Sequence, residues 1–259
     1  KRGWEDAQDL HDGGTSRNAR PARQLAVSTR EPSNALNLLQ QLGVVVFDHP
    51  ADQLSADLLQ QSYKEFEADF AEVQRELDQK GIDMSQPFQF NEICRRFPER
   101  YDVRVVRGQC LTRNFRLDEM PWRQLIHDAL GVDARELLRG ILLSRCGAPA
   151  QAWHRDSGHL FQEGRHLPAH AVTVFVPLVE TAAEMGRTSF IPGSHVERRP
   201  ANLASSEPFD AVSPALPLGS WLAFDNRIFH RGEANTDAAR RNRPILYFVY
   251  SKAWFRDSN

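Results

Sequence analysis

From Gly140 onward the chain is a series of short apolar or β-branched runs separated by Gly, Pro, Asn and Asp, and that punctuation narrows the folds open to it. The runs are Ile141-Leu142-Leu143-Ser144, Ala171 to Leu178, Thr188 to Ile191, Trp221 to Phe224 and Pro244 to Tyr250. Their lengths and residue types suit strands. No helical pattern of about ten or more residues separates them, as the crossovers of a parallel sheet would require. An antiparallel barrel or jelly roll is the expected solution.

The half before Gly140 reads differently. Ala35 to Leu42 is expected to be a helix ended by Gly43, followed by a strand at Val44-Val45-Val46-Phe47. Leu59, Tyr63, Phe66, Phe70, Val73 and Leu77 recur in steps of four and three, the mark of a helix with one apolar face, and Gly81 ends it. A third helix is expected from Pro121 to about Leu130. Residues 1–33 are polar and lack periodicity, so they are read as an arm. The predicted class is mainly β with helical decoration. One domain covers 34–259, with a helical part over about 34–139 and a jelly-roll core over about 140–252.

Composition excludes some functions. Charged residues make up 25% of the 259 residues and the net charge is −2, without the basic excess of a nucleic-acid binder. No apolar stretch approaches the roughly 20 residues of a membrane helix, and no segment reads as a signal peptide. Lys1 stands where a methionine would begin a chain, so an upstream piece is expected. Cys94, Cys110 and Cys146 are odd in number and lack C-x-x-C spacing. They read as reduced thiols of an intracellular protein, in the cytoplasm or an organelle.

The chemistry concentrates in a few residues. His154-Arg155-Asp156 has the form His-x-Asp, and on an extended segment residues i and i+2 share a face, so both side chains can reach one ion. Alone, the pair equally describes a surface turn with an ion pair. His230 lies far downstream, after another predicted strand, and can supply a third ligand. Two imidazoles and a carboxylate on one side of a metal form the facial triad of non-heme Fe(II) oxygenases. Between them lies Ile191-Pro192-Gly193-Ser194-His195, and after His230 the chain returns as a strand led by Arg243.

In this order, these residues resemble the phytanoyl-CoA dioxygenase superfamily over about residues 35 to 250. The resemblance implies a double-stranded β-helix (the cupin-like jelly roll) and an Fe(II)- and 2-oxoglutarate-dependent dioxygenase. It makes His154, Asp156 and His230 the iron ligands and Arg243 the clamp on the distal carboxylate of 2-oxoglutarate. Gln151 and Thr188 match further cosubstrate contacts of relatives. The loop before Arg243 is about two residues longer than usual, which keeps Arg241 as an alternative clamp. The expected reaction oxidises an unactivated C–H bond of a small organic molecule, with 2-oxoglutarate and O₂ converted to succinate and CO₂. Related halogenases carry a small residue where this chain has Asp156, so hydroxylation or a related oxidation is expected.

Other readings stand beside this one. A cupin-like metal isomerase or hydrolase would use the same barrel without 2-oxoglutarate. A non-catalytic binding member would keep the fold with a broken triad. His195 is read as a structural hydrogen-bonding residue, and His159, His166 and His170 as solvated, capping or mouth-lining. Arginines 95, 96, 100, 104, 107, 113 and 116 form either a solvated face or a basic lip for an anionic substrate. Phe88, Phe90, Phe97, Trp153 and Phe161 are candidates for an apolar substrate wall. Monomer and homodimer are both open.

Overall fold

The strands of the core are apolar on both faces, so the sheet they build has to be covered twice. The computed structural model describes residues 31–104, 113–161, 166–196 and 211–256. Its strands are β1 (Val44–Phe47), β2 (Phe88–Gln89), β3 (Ile93–Phe97), β4 (Arg100–Val103), β5 (Arg135–Ser144), β6 (Ala171–Pro177), β7 (Thr188–Phe190), β8 (Trp221–Asp225), β9 (His230–Gly232) and β10 (Arg243–Ser251). One antiparallel sheet runs in the order β1-β8-β6-β10-β5-β4-β3-β2, and β7 pairs with β9 in a second. Single bridges from His154 to His230 and from Val212 to Phe190 widen the second sheet on both sides. Two facing antiparallel sheets of this kind make the expected jelly roll.

Period-two alternation sorts the side chains between two cores. On β10, Leu246, Phe248 and Tyr250 point to the helical side, where they meet Val172, Val174, Val176 and Trp221. Ile245 and Tyr247 point between the sheets, with Val44, Phe175, Phe190, Leu222 and Phe224. Thus Arg243, two residues before Ile245, also faces the inter-sheet space. The helices are α1 (Pro32–Leu42), α2 (Ala56–Gln79) and α3 (Arg123–Leu130). The α2 stripe buries Leu59, Phe66, Phe70 and Leu77. Trp221 stacks on Phe47 with centroids 3.7 Å apart and donates its indole N–H to the Asp52 carbonyl. Removing such a fully buried indole would cost about 3–5 kcal/mol.

Three expectations need correction. First, α1 starts at Pro32, a turn before the apolar pattern, and α3 starts at Arg123, with Pro121 in the preceding turn. Second, the region before the barrel is not only helical, since β2, β3 and β4 extend the large sheet beyond β5. Third, the arginine-rich segment is only partly a solvated face where it builds β3 and β4, since Arg96 is exposed while two of its neighbours are not. Arg95 and Arg100 are 4% and 9% exposed. Backbone carbonyls satisfy them: Arg95 donates to Ser85, and Arg100 to Pro149 and Glu233. Polar side chains hid these strands from a reading based on apolar alternation. Arg107, Cys110 and residues 1–30 of the expected arm lie outside the described residues, within which Cys94 and Cys146 are free thiols. No helix among the described residues is long and apolar enough to cross a membrane.

Candidate metal centre

His154 and Asp156 leave their extended segment on one face, and backbone pairing sets that face against β9. The His154 N–H donates to the His230 carbonyl at 3.0 Å, and the His230 N–H returns the bond at 2.9 Å. Potential ligand atoms of His154, Asp156 and His230 lie within 4.8 Å of one another. His230 Nε2 is 3.6 Å from Asp156 Oδ1. The Nδ1 atoms of His154 and His230 sit 2.9 and 3.2 Å from the carbonyls of Ala152 and Ile228. A carbonyl only accepts, so each Nδ1 carries the proton and each Nε2 presents a lone pair to the shared space. Burial lowers the pKa of His230, with Asp156 opposing the fall and His154 adding to it. Two neutral imidazoles and a carboxylate so placed fit Fe(II) with open coordination positions.

Neighbouring residues hold this geometry. The Asn226 carbonyl accepts the N–H groups of Asp156 and Ser157, both at 3.0 Å, which fixes the turn carrying the carboxylate. Asp225 and Arg227 flank it as a buried ion pair at 2.6 Å. Burial raises the Asp225 pKa, but the bonds and charge of Arg227 win and hold it below the ordinary value. Ser194 accepts the Phe229 N–H at 2.8 Å and donates to the Ile191 carbonyl at 2.7 Å. The Pro-Gly-Ser-His turn is therefore a buttress behind the segment leading into His230. His195, bonded to the Gln40 carbonyl at 2.9 Å, ties that turn to α1 in the structural role expected of it. Asp225, Asn226 and Arg227 were not singled out from sequence; a polar tripeptide closing a buried strand just before His230 was the available signal.

A second polar region adjoins the triad. Arg243 is 3% exposed, its Nη1 is 3.4 Å from Thr188 Oγ1, and its buried Nε has no hydrogen-bond partner among the described residues. Burial lowers its pKa to about 9, and the nearby charge of Arg100 contributes. Gln151 Oε1 accepts the N–H of Gly232, which pairs with Thr188 across β7 and β9. Arg243, Thr188, Gln151 and Gly232 are thus brought to one end of the inter-sheet space. Arg241 is elsewhere, with Nε and Nη2 bonded to Asp237 at 3.1 and 2.7 Å and its side chain half exposed. It lies in the loop before β10, which begins only at Arg243. Of the aromatic candidates, Phe88 and Phe90 are in ring contact with centroids 5.8 Å apart, Phe90, Phe97 and Phe161 are exposed, and Trp153 carries Arg231 over its ring.

The family model described as phytanoyl-CoA dioxygenase (PhyH) matches residues 39–242. AviO1 from Streptomyces viridochromogenes Tue57 superposes with a TM-score of 0.62 at 15% identity, covering 90% of this chain and 100% of that one. The epimerase SnoN, solved with Fe³⁺, α-ketoglutarate and nogalamycin RO, gives 0.56 at 17% identity, covering 87% and 85%. HygX from Streptomyces hygroscopicus, with nickel, 2-oxoglutarate and hygromycin B bound, gives 0.60 at 14% identity, covering 86% and 88%.

Proposed function

The chain belongs to the phytanoyl-CoA dioxygenase family and is a 2-oxoglutarate-dependent non-heme iron enzyme, and from that premise we propose that it hydroxylates, or otherwise oxidises, an unactivated C–H bond of a small organic molecule. The observation that carries the reading is the converging His154, Asp156 and His230 set beside a buried Arg243 that no carboxylate of the described residues neutralises. In this reading the triad holds Fe(II), and Arg243, Thr188 and Gln151 hold the 2-oxo acid. Bound iron and 2-oxoglutarate supply the oxidising chemistry, in which O₂ and the 2-oxo acid become succinate and CO₂.

The chain's own groups do the rest. The carbonyls of Ala152 and Ile228 fix both imidazole tautomers, and Asn226 keeps the Asp156 turn in place. Phe190 and Phe224 pack against His230, with centroids 5.9 and 4.9 Å away, and exclude water from its inner side. The presence of a carboxylate at Asp156, where a halogenase-like site needs room for a halide, supports oxidation over halogenation. A buried guanidinium suits the distal carboxylate of a 2-oxo diacid, which supports that reading over a cupin-like isomerase or hydrolase that uses no such cosubstrate. The domain extent proposed is 34–259, as one unit with one active site.

Anaerobic addition of Fe(II) and 2-oxoglutarate tests the reading. A weak visible charge-transfer band is expected, followed by substrate-dependent succinate release when a panel of metabolites is screened in air. Asp156→Ala should lose both signals because a metal ligand is gone. Full succinate release by that variant would overturn the assignment.

A further inference from the structure

Gly140 lies in the middle of β5, where a glycine weakens a strand and often marks the close approach of another group. Here the group is Tyr247, its partner on β10. A Cβ at Gly140 would stand 2.8 Å from the Tyr247 hydroxyl and 2.7 Å from the Val103 carbonyl. The missing side chain lets the phenol lie across β5 and donate to Asp102 Oδ1 on β4 at 2.8 Å. Burial, with Asp102 beside it, raises the Tyr247 pKa, so the phenol remains a donor to that carboxylate. The second oxygen, Oδ2, accepts from Arg104 Nε at 3.0 Å.

This chain of contacts faces the space between the sheets. Asp102 is opposite Leu142, and Leu142 is opposite Ile245, so all three share a face. Arg104 follows two residues after Asp102, its N–H continuing the ladder to the Glu92 carbonyl at 2.7 Å. The metal ligands look toward the same end of the large sheet. His230 packs on Phe224 with centroids 4.9 Å apart, and Phe224 lies in one row with Thr173 and Val249. Tyr247 stands four residues beyond Arg243 on β10, roughly 13 Å along the strand from the cosubstrate end. Leu138, Leu142 and Val249 line this stretch and are only partly buried among the described residues, which leaves an apolar wall open to a ligand.

The charges at its edge do not balance. Arg96 and Arg104 both lie close enough to act on Cys94, which is opposite Asp102 on β3. Asp102 is thus one carboxylate between two guanidinium groups, and Glu92 meets Arg104 through its backbone carbonyl. Among the described residues, Asp102 is the only carboxylate paired with Arg104, and it engages Nε. The Arg104 side chain is 35% exposed, and its two Nη groups form the fork that grips a carboxylate or phosphate.

We propose that Arg104, held in place by Asp102 and Tyr247, anchors an anionic group of the molecule that this enzyme oxidises, either a carboxylate or a phosphate, with Leu138, Leu142 and Val249 as the apolar wall along which the rest of that molecule reaches toward the metal. This rests on the oxygenase reading given under the proposed function. Arg104 is a specificity residue in it, because it touches the substrate away from the carbon that reacts.

The test is calorimetric binding to the full chain loaded with Fe(II) and saturating 2-oxoglutarate, without oxygen. Phenylacetate and phenyl phosphate are compared at millimolar concentration with phenylacetamide, which has the same ring and no charge. At least one of the two anions should bind more tightly than the amide. In Arg104→Gln that advantage should fall roughly tenfold, the value of a charge-assisted contact at a half-exposed site, while the Kd of the amide stays at its wild-type value. An amide bound as tightly as both anions, no binding of any probe, or an advantage unchanged in Arg104→Gln would each overturn the proposal. The charge-transfer band of the wild type reports on the reading beneath it: its absence sinks the oxygenase reading, whereas its presence with an unchanged advantage in Arg104→Gln sinks this proposal alone. If Arg104→Gln does not fold, Arg104→Lys takes its place, with a smaller loss expected from a charge without the fork, and an unchanged advantage there counting against the anchor.

Discussion

Gly232→Ala puts the packing around the cosubstrate end under the most direct strain. Gly232 lies two residues after His230 on β9, on the face turned inward. A Cβ there would stand 2.6 Å from Arg100 Nη1 and 2.8 Å from Gln151 Oε1. Ordinary contact requires roughly 3.5 Å, so Arg100 would have to retreat by nearly an ångström. Its bonds of 2.9 and 3.1 Å to Pro149 and Glu233 would then stretch beyond hydrogen-bonding range. Because both crowded atoms are side-chain ends that can pivot, the expected cost is that of a typical overpacked site, about 1–3 kcal/mol. For a domain of this size each kcal/mol lowers Tm by about 2–4 °C. The backbone bridge between His154 and His230 is untouched, so Fe(II) affinity should hold while the Kd for 2-oxoglutarate rises by about tenfold or more. Calorimetry and an anaerobic titration of the variant would measure both. A variant with wild-type Tm and wild-type 2-oxoglutarate affinity would refute the packing argument.

Ser194→Ala leaves the Phe229 N–H without its acceptor, and a loss of about 1–3 kcal/mol in urea unfolding is expected, accompanied by weaker Fe(II) binding. Arg227→Met strands Asp225 as an uncompensated buried charge; thermal denaturation should report about 3–5 kcal/mol of destabilisation, and a near-neutral result would show that the pair is dispensable. The folded pKa of Asp225 lies below its unfolded value, so its contribution is fully present above the unfolded pKa of about 3.9 and disappears as pH falls through the lower folded one. Stability of Asp225→Asn, followed from about pH 6 to 3, should therefore fall less steeply than that of the wild type.

Strand-length apolar runs, helix stripes and turn residues made the jelly roll legible, because alternation and capping are local physics written in adjacent residues. The stripe from Leu59 to Leu77 and the Gly43 cap, at φ 78°, appear where the pattern put them. His154 and Asp156 were legible as a pair for the same reason, since two-residue spacing guarantees a common face. Only tertiary structure could decide the rest. Whether Arg241 or Arg243 faces the inter-sheet space depends on where β10 begins, which is set by its register with β5. Arg100 was hidden among similar residues because burial of a guanidinium is invisible until distant carbonyls, at 149 and 233, are folded against it. Local spacing thus specifies which side chains share a face. Long-range register alone specifies which faces meet, and here it sets Arg100, Ser144 and Arg243 in one row.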